Sequence, residues 1–546
     1  MSKIIELGAF SSDMSEVVRQ LKQDLKDDWY PDPLGYEDAL KPDVAAELLT
    51  ACFQKNHGLY VPDDRTELNI PKKNFVLRYS LEMSLPDRLY YQALVSQLIP
   101  FFDPILPNQV LNHRYAVNRT HNNHIFKPAI DQWKLFKGYV AYEANTKPVI
   151  LLTDVQNYYE NIEVNRVIAE LESNIPNINC GGSDKARLRH IIKELHRCLH
   201  KWCYKSTHGL PQNRDASSFL AHLAMLSVDK EMLARGYAYY RYMDDVRIAA
   251  PTRYKAREAL QHLTTELRQL GLNVNSQKTF ILEPGMQDYE KALGKDDALL
   301  AQIDSMWRSR SLPVIRRSFT PLQKFAKDLI NKGATQERGF RFCVERFSKL
   351  ALCPELGVPK SFFDPVTEVC IHQLDSQPFS SDQIVRFLKA APTSSEQLGH
   401  VAELVADHER SIYDWQNYLL WQLLVYKKYA APELIAVARK RAEQVNRPAD
   451  RAGAILYLGA LGTEGDRLFV AKLFNTCDKH IVQRNALIAV HELGFDSGIK
   501  EHVKDHVMPS LQGAYKRIKD EFSGQYFRPL PPVSVLSIYD EMSAYD

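Results

Sequence analysis

The sequence predicts an α+β domain, a small antiparallel sheet backed by helices, followed by an all-helical C-terminal domain. Short apolar and β-branched runs suited to strands are confined to the first half of the chain, at 75–81, 149–152 and 239–248. Segments with helical spacing are interspersed among them, the pattern of a small sheet packed on helices. Beyond about residue 295 the strand signals fade, and amphipathic helices follow one another to about 525.

Residues 14–27 place Met14, Val17, Val18, Leu21 and Leu25 at helical spacing, and Asp28-Trp29-Tyr30-Pro31-Asp32-Pro33 stops them. A second short helix is expected over 40–60, a strand over Phe75 to Leu81, and a helix from Pro86 to Leu98. Val149-Ile150-Leu151-Leu152 reads as a strand ending at Thr153-Asp154. Helices are expected over 184–205 and 215–235, then a hairpin at Tyr239–Ile248, then a helix over 254–270. In the second half, Ala454-Ile455-Leu456-Tyr457-Leu458-Gly459 and, 32 positions on, Ala486-Leu487-Ile488-Ala489-Val490-His491, each leading to a glycine (462, 494), look like one unit seen twice. That period suggests stacked, HEAT-like helix pairs, with a plain bundle as the alternative. Pro529, Pro531 and Pro532 suggest an extended tail. The expected divisions are 1–290, 291–525 and 526–546.

With 546 residues, 45% hydrophobic, 25% charged and a net charge of +2, this is no polycation. A nucleic-acid site must come from local clustering of charge. The eight cysteines never form a CxxC pair, which argues against structural zinc and fits reduced thiols in a cytoplasm. The N-terminal stretch lacks the plan of a signal peptide, and the most apolar run, Tyr418 to Tyr426, is broken by Gln422. The expectation is a soluble intracellular protein with no membrane contact.

The chemistry centres on Tyr242-Met243-Asp244-Asp245, two carboxylates at the tip of a hairpin. Exposing both at a turn invites a divalent cation. Asp154, at the end of the strand 149–152, completes the minimum for two Mg²⁺ ions held about 3.5–4 Å apart. Tyr159, five residues on, is an aromatic ring suited to lie under a nucleotide sugar, leaving no room for a 2′-hydroxyl. Gly209-Leu210-Pro211-Gln212-Asn213-Arg214-Asp215-Ala216-Ser217 is a turn feeding a helix, with Asp215 or Ser217 suited to cap it. Such a junction presents N–H groups and a side-chain amide to a base or phosphate. Lys278, in the loop Gly271–Thr279, could reach a leaving pyrophosphate.

In this order and at these separations, the four segments resemble motifs A, B, C and D of the reverse-transcriptase palm. The resemblance spans about 25–285 and implies reverse-transcriptase-like fingers and palm. It makes Asp154, Asp244 and Asp245 catalytic, with Mg²⁺ or alternatively Mn²⁺ on Asp154, Val155 and Asp244. It makes Tyr159 the dNTP-selecting aromatic, and sets Gln212, Ser217 and Lys278 against the nucleotide. Ile70-Pro71-Lys72-Lys73, Arg78 and Asp87-Arg88 resemble the fingers segment whose basic residues, Lys72, Lys73 and Arg78, grip the triphosphate. Motif B departs from its usual glycine at Asn213, a residue that tolerates unusual backbone angles.

This variant motif, joined to a long helical half, resembles the abortive-infection (Abi) branch of bacterial reverse-transcriptase relatives, typified by AbiK and AbiA. That resemblance implies antiphage defence and a homo-oligomer, trimer or hexamer. It also implies template-independent, protein-primed synthesis from dNTPs, with single-stranded DNA left on a tyrosine. Among 27 tyrosines the sequence does not choose: Tyr30 and Tyr36, in a Pro/Gly-rich segment able to move, are candidate primers, and helix-connecting loops of the C-terminal half are equal alternatives. The alternatives are an RNA-templated enzyme making cDNA and a non-catalytic nucleic-acid-binding scaffold. Residues 181–210 are strongly basic, a possible nucleic-acid footprint, and carry His196 and His200 four apart without an evident third metal ligand.

Overall fold

The computed structural model describes residues 3–8, 10–118, 124–205, 207–294, 298–335, 337–493, 497–535 and 538. An N-terminal hairpin, β1 (Ile4–Leu7) and β2 (Phe10–Asp13), precedes the helix Met14–Asp24. A second hairpin pairs β3 (Thr66–Pro71) with β4 (Leu77–Glu82) and leads into the helix Leu85–Phe102. The central sheet contains β5 (Val110–Leu111), β6 (Val149–Asp154), β7 (Ala238–Tyr242), β8 (Asp245–Ala250) and β9 (Phe280–Leu282), in the order β5-β7-β8-β6-β9. It is mixed rather than purely antiparallel, because β5 runs parallel to β7.

The sheet is covered on both faces. Leu151, Tyr239 and Ile248 join a large core with the helices Leu85–Phe102, Gly182–Trp202, Asp215–Ala224 and Arg253–Gln269. On the other face Ile150, Ala238 and Ala249 meet Val140, Tyr289 and Leu293. The helix Ala129–Glu143 that supplies Val140, the helix Val164–Asn174 and strand β3 had no counterpart in the sequence reading. The stretch expected as one helix over 215–235 is two, Asp215–Ala224 and Leu226–Ala234.

From Ala298 to Glu521 every regular element described is helical. The look-alike segments lie on Pro448–Leu461 and His480–Val490, which cross so closely that a Cβ on Gly459 would stand 2.4 Å from the Ala489 Cα. Gly494, the end of the second unit, lies outside the described residues. The expected tail is seated where it is described: the Val533 N–H donates to the Leu352 carbonyl at 2.8 Å, and Val533 and Ile538 enter the helical core. Its residues 536–537 and 539–546 lie outside the described set. Among the described residues no helix is long and apolar enough to cross a membrane.

The first expected domain does not keep to itself. Tyr30, Leu34, Leu68 and Ile70 belong to the same core as the C-terminal helices. Residues 27–38 form a strap across the seam: Asp27 meets Arg386 at 3.2 Å, the Trp415 indole donates to the Trp29 carbonyl at 2.8 Å, and Tyr418 and Gln422 donate to the Pro31 carbonyl. Arg484 closes it with Asp32 at 2.8 Å and Asp38 at 2.6 Å, all three side chains buried. A second tie joins His480 to Glu82 at 3.0 Å.

Arg484→Met keeps the volume but leaves two buried carboxylates without their cation. Breaking such a pair costs about 3–5 kcal/mol, so the urea midpoint of Arg484→Met should fall well below that of the wild type. An unchanged midpoint would show that the strap contributes little.

Candidate active site

Strand register assembles the site. Strands β6 and β8 pair with Asp154 opposite Asp245, and the Val155 N–H donates to the Asp244 carbonyl at 3.0 Å. The β7–β8 hairpin pairs Tyr242 with Asp245, leaving Met243 and Asp244 as a two-residue turn. Met243 takes a left-handed φ of 57°, a backbone state that a side chain such as Met adopts only when held there. What holds it is Arg241, fully buried: its guanidinium grips Asp229 through two bonds and donates to the Met243 carbonyl at 2.9 Å.

The carboxylates are not exposed on a turn, as the sequence reading expected. Asp154 is buried, and Asp244 and Asp245 are half-buried. Burial, then the charges of Asp245 and Asp154, push the Asp244 carboxyl up to about 7. Burial and Asp154 also raise Asp245, against the pull of Arg247. Lys278 answers this crowding with an ion pair to Asp154 at 2.8 Å. Burial pulls its ammonium down, but the Asp154 hydrogen bond and the three carboxylate charges prevail and raise it. The loop carrying Lys278 is stitched to β6 by the Asn275 N–H on the Asp154 carbonyl and the Gln156 N–H on the Asn273 carbonyl, both 2.8 Å.

Tyr158 is core, its hydroxyl donating to the Ala221 carbonyl; Tyr159 is half-exposed, its hydroxyl 2.8 Å from Ser218 Oγ. Ser217, the expected nucleotide contact, is fully buried against the Tyr91 hydroxyl at 2.9 Å. The helix that follows turns Ser218 rather than Ser217 toward the site. Neither Asp215 nor Ser217 caps that helix; Asp24 does, accepting the Asp215 N–H at 2.8 Å. Gly209 has φ 90°, and a Cβ there would stand 2.8 Å from Tyr204 Cβ. Asn213 adopts a φ of 57° and donates its amide to the Asp27 carbonyl at 2.8 Å. Gln212 lies beside the Tyr79 hydroxyl, which donates to the Leu210 carbonyl at 2.6 Å.

On the fingers side, Lys72 reaches Asn157 at 3.5 Å, and burial followed by the charge of Arg78 lowers its ammonium. Arg78 lies over the Trp29 ring at 5.4 Å with the charges of Asp244 and, from the helix Ser381–Ala390, Asp382 nearby. Lys73 is exposed. Asp87 and Arg88 do not face a triphosphate: both are buried, Asp87 on Tyr60 and Arg88 on Asp28. Tyr30 and Tyr36 are not on a mobile segment either; they are 3% and 5% exposed within the strap. His196 and His200 face each other at 3.0 Å.

Among the described residues no three His, Cys, Asp or Glu side chains form a closed metal cage. The donors nonetheless fit a hard divalent cation that shares its shell with substrate phosphates: oxygen only, crowded, and reluctant to ionise together. Asp154, Asp244 and the Val155 carbonyl are the groups that would hold it, with Lys278 displaced from Asp154.

Residues 70–307 match the family model described as reverse transcriptase (RNA-dependent DNA polymerase). That stretch is similar to a reverse-transcriptase domain. The match makes the chain a nucleotidyltransferase of the polymerase kind, which sets aside a non-catalytic scaffold. Among solved structures, apo telomerase from Candida tropicalis is similar at a TM-score of 0.29 and 12% identity, over 84% of this chain and 74% of that one, a likeness too slight to carry an argument. A comparison with curated proteins finds no match.

Three residues of the candidate site escaped the sequence reading: Ser218, Asn157 and Arg241. Only Arg241 left a signal, a charge at an inward position of an apolar strand.

Asn213→Gly, which keeps the left-handed backbone but gives up the amide bond to the Asp27 carbonyl, should lower stability by only about 0.5–1.5 kcal/mol. Asn213→Val should lower stability by about 1–3 kcal/mol through backbone strain, read as a lower midpoint and faster proteolysis within 205–215. Equal midpoints for the two variants would count against the strained loop.

Proposed function

We propose that this chain is a Mg²⁺-dependent DNA polymerase that adds deoxynucleotides at the β6–β8 site. The observation that carries this reading is the register that sets Asp154 opposite Asp245 with Asp244 beside them and Lys278 on Asp154. A 3′-hydroxyl, or a first hydroxyl on protein, attacks the α-phosphorus of a dNTP; the new O–P bond forms as the bond to the pyrophosphate oxygen breaks. Bound divalent cations, Mg²⁺ or Mn²⁺, would acidify that hydroxyl and neutralise the phosphates. Lys72, Lys73 and Arg78 hold the triphosphate from the fingers side, and Lys278 meets charge on the departing pyrophosphate. Tyr159, its hydroxyl fixed on Ser218, closes the space a 2′-hydroxyl would need. Gln212 lines the nucleotide pocket.

The finer reading is an antiphage polymerase of the Abi kind, cytoplasmic in bacteria, homo-oligomeric, and self-priming without a template. Two features support it. The motif B loop is tied to residues 24–28 through Asn213 and Arg214, which leaves the Asn213 amide committed to protein rather than to a template base. The helical half, with its close Gly459 crossing, stands beside Arg78 through Asp382. The primer is then another tyrosine than the buried Tyr30 or Tyr36.

Purified protein given labelled dNTPs and Mg²⁺, with no nucleic acid, should make DNA that stays with the protein through denaturation and is freed by protease. Strict dependence on added RNA would favour cDNA synthesis instead. Asp244→Asn should lower incorporation at least about 1,000-fold, about 4 kcal/mol of barrier, with an unchanged circular dichroism spectrum; full activity in that variant would remove the core of this reading. Tyr159→Ala should raise NTP use relative to dNTP, and an unchanged ratio would take sugar selection away from Tyr159.

A further inference from the structure

The helix Gly182–Trp202 buries Leu188, Ile191, Leu195, Leu199 and Trp202 on one side. The opposite side carries cations every fourth residue: Lys185, Arg189, Lys193, Arg197 and Lys201, with Lys205 just past the helix end. Successive members lie about 6 Å apart along the axis, so their heads form one continuous winding row of like charge. Such a row is costly to helix stability, since like charges at this spacing repel. Only Arg197 in it is offset by an acid, Glu194 at 2.7 Å, while Lys185 donates to the Pro176 carbonyl. Arg189, Lys193 and Lys201 are exposed and carry no ion pair among the described residues.

The row ends beside the loop that carries Leu210 and Gln212. Lys205 stands over the Tyr204 ring at 5.8 Å, and Tyr204 stacks on Tyr79 with ring centroids 4.5 Å apart. Tyr79 is the residue whose hydroxyl bonds Leu210 and lies beside Gln212. The Arg65 guanidinium, donating to the Lys201 and Tyr204 carbonyls at 2.8 and 2.9 Å, fixes this junction to the fingers side. A half-exposed aromatic followed by evenly spaced cations suits stacked bases and successive phosphates of one strand. A rigid duplex would touch a single helix only where its backbone crosses it; an extended strand can follow the whole row.

We infer that the single-stranded DNA made at the palm leaves along this row, from Tyr204 toward Lys185. The inference rests on the DNA-polymerase reading, because the committed occupant is that enzyme's product.

The test uses full-length protein and fluorescein-labelled oligo-dT of about 12 nucleotides, with anisotropy read across a salt series without dNTP or divalent metal. The variant Arg189→Gln/Lys193→Gln/Lys201→Gln should bind at least tenfold more weakly. Its slope of log K against log salt should shrink by about 2, three contacts at about 0.7 each for a single strand. The control Arg253→Gln/Lys255→Gln/Arg257→Gln removes the same charge from another exposed helix and should change the slope little. In the incorporation assay the row variant should keep first-nucleotide addition and make shorter products. An unchanged slope, or an equal loss in the control, overturns the inference. So does tenfold tighter binding of oligo-rU than of oligo-dT, which would assign the row to RNA. Because binding is read without catalysis, an inactive wild type that still shows the row-dependent slope would sink the polymerase reading and leave the surface standing.

Discussion

The structure depends on burying the acids of residues 24–38. Taking carboxylates out of water costs several kcal/mol each unless cations follow them in, and here the cations come from three separate parts of the fold. Asp28 takes Arg88 from the fingers helix and Arg214 from the motif B loop. Burial pushes its carboxyl up, yet those two guanidiniums overcome it and hold Asp28 below the usual range. Asp24, with less compensation, is pushed up to about 7 by burial, against the pull of Arg214. Asp32 and Asp38 take Arg484 from the helical half. One short segment, the end of a helix and the irregular stretch after it, thereby fixes fingers, palm and helical domain relative to one another, since each interaction is expensive to leave half-made.

Within that frame the active site follows from pairing alone. Once β6 and β8 are in register, Asp154 and Asp245 must face each other, and the turn that reverses β7 into β8 must carry Asp244. Slipping the register by one residue would turn the whole buried set of β8 to the wrong face. The acids are thus brought together by the apolar alternation of Val246, Ile248 and Ala250, at the price of mutual repulsion. Arg241 works from beneath, holding the Met243 carbonyl in a strained turn, and Lys278 works from above, bonded to Asp154.

How much of this was legible follows from which residues speak locally. Strand ends, helix periods and the order Asp154, Gln212, Asp244, Lys278 depend on neighbours in sequence, and the palm was readable from them. The errors at the site concern residues whose partners are remote. Arg88 belongs to the segment that resembles the fingers, yet Asp28, 60 positions away, takes its guanidinium into the core. Ser217 and Ser218 are adjacent and alike, and only the phase of the helix on Tyr91 and Tyr159 separates them. Tyr30 and Tyr36 sit among prolines and a glycine, the composition of a mobile loop, but their rings are sealed by Tyr418 and by the Arg88 and Arg484 guanidiniums. Turn composition says where the chain bends, not whether another domain covers the bend.

The same remote contacts bear on how the site treats its two substrate edges. On the sugar side, the Tyr159 ring is anchored at its hydroxyl by Ser218, so it cannot swing aside without breaking that bond, and its backbone carbonyl accepts the Leu210 N–H at 3.0 Å, which holds the main chain beneath it. Sugar selection by a wall of this kind is cheap to maintain, because it needs shape and no readout. On the base side, reading a template requires polar groups left open for each of four partners in turn. Here the Asn213 amide is spent on the Asp27 carbonyl, and Arg214 is enclosed by Asp24 and Asp28. Freeing Arg214 would uncover buried charge that belongs to the strap joining the domains, and freeing Asn213 would leave the Asp27 carbonyl without that bond. A polymerase built this way could be strict about the sugar far more easily than about the base, and that contrast is what supports the proposed synthesis without a template.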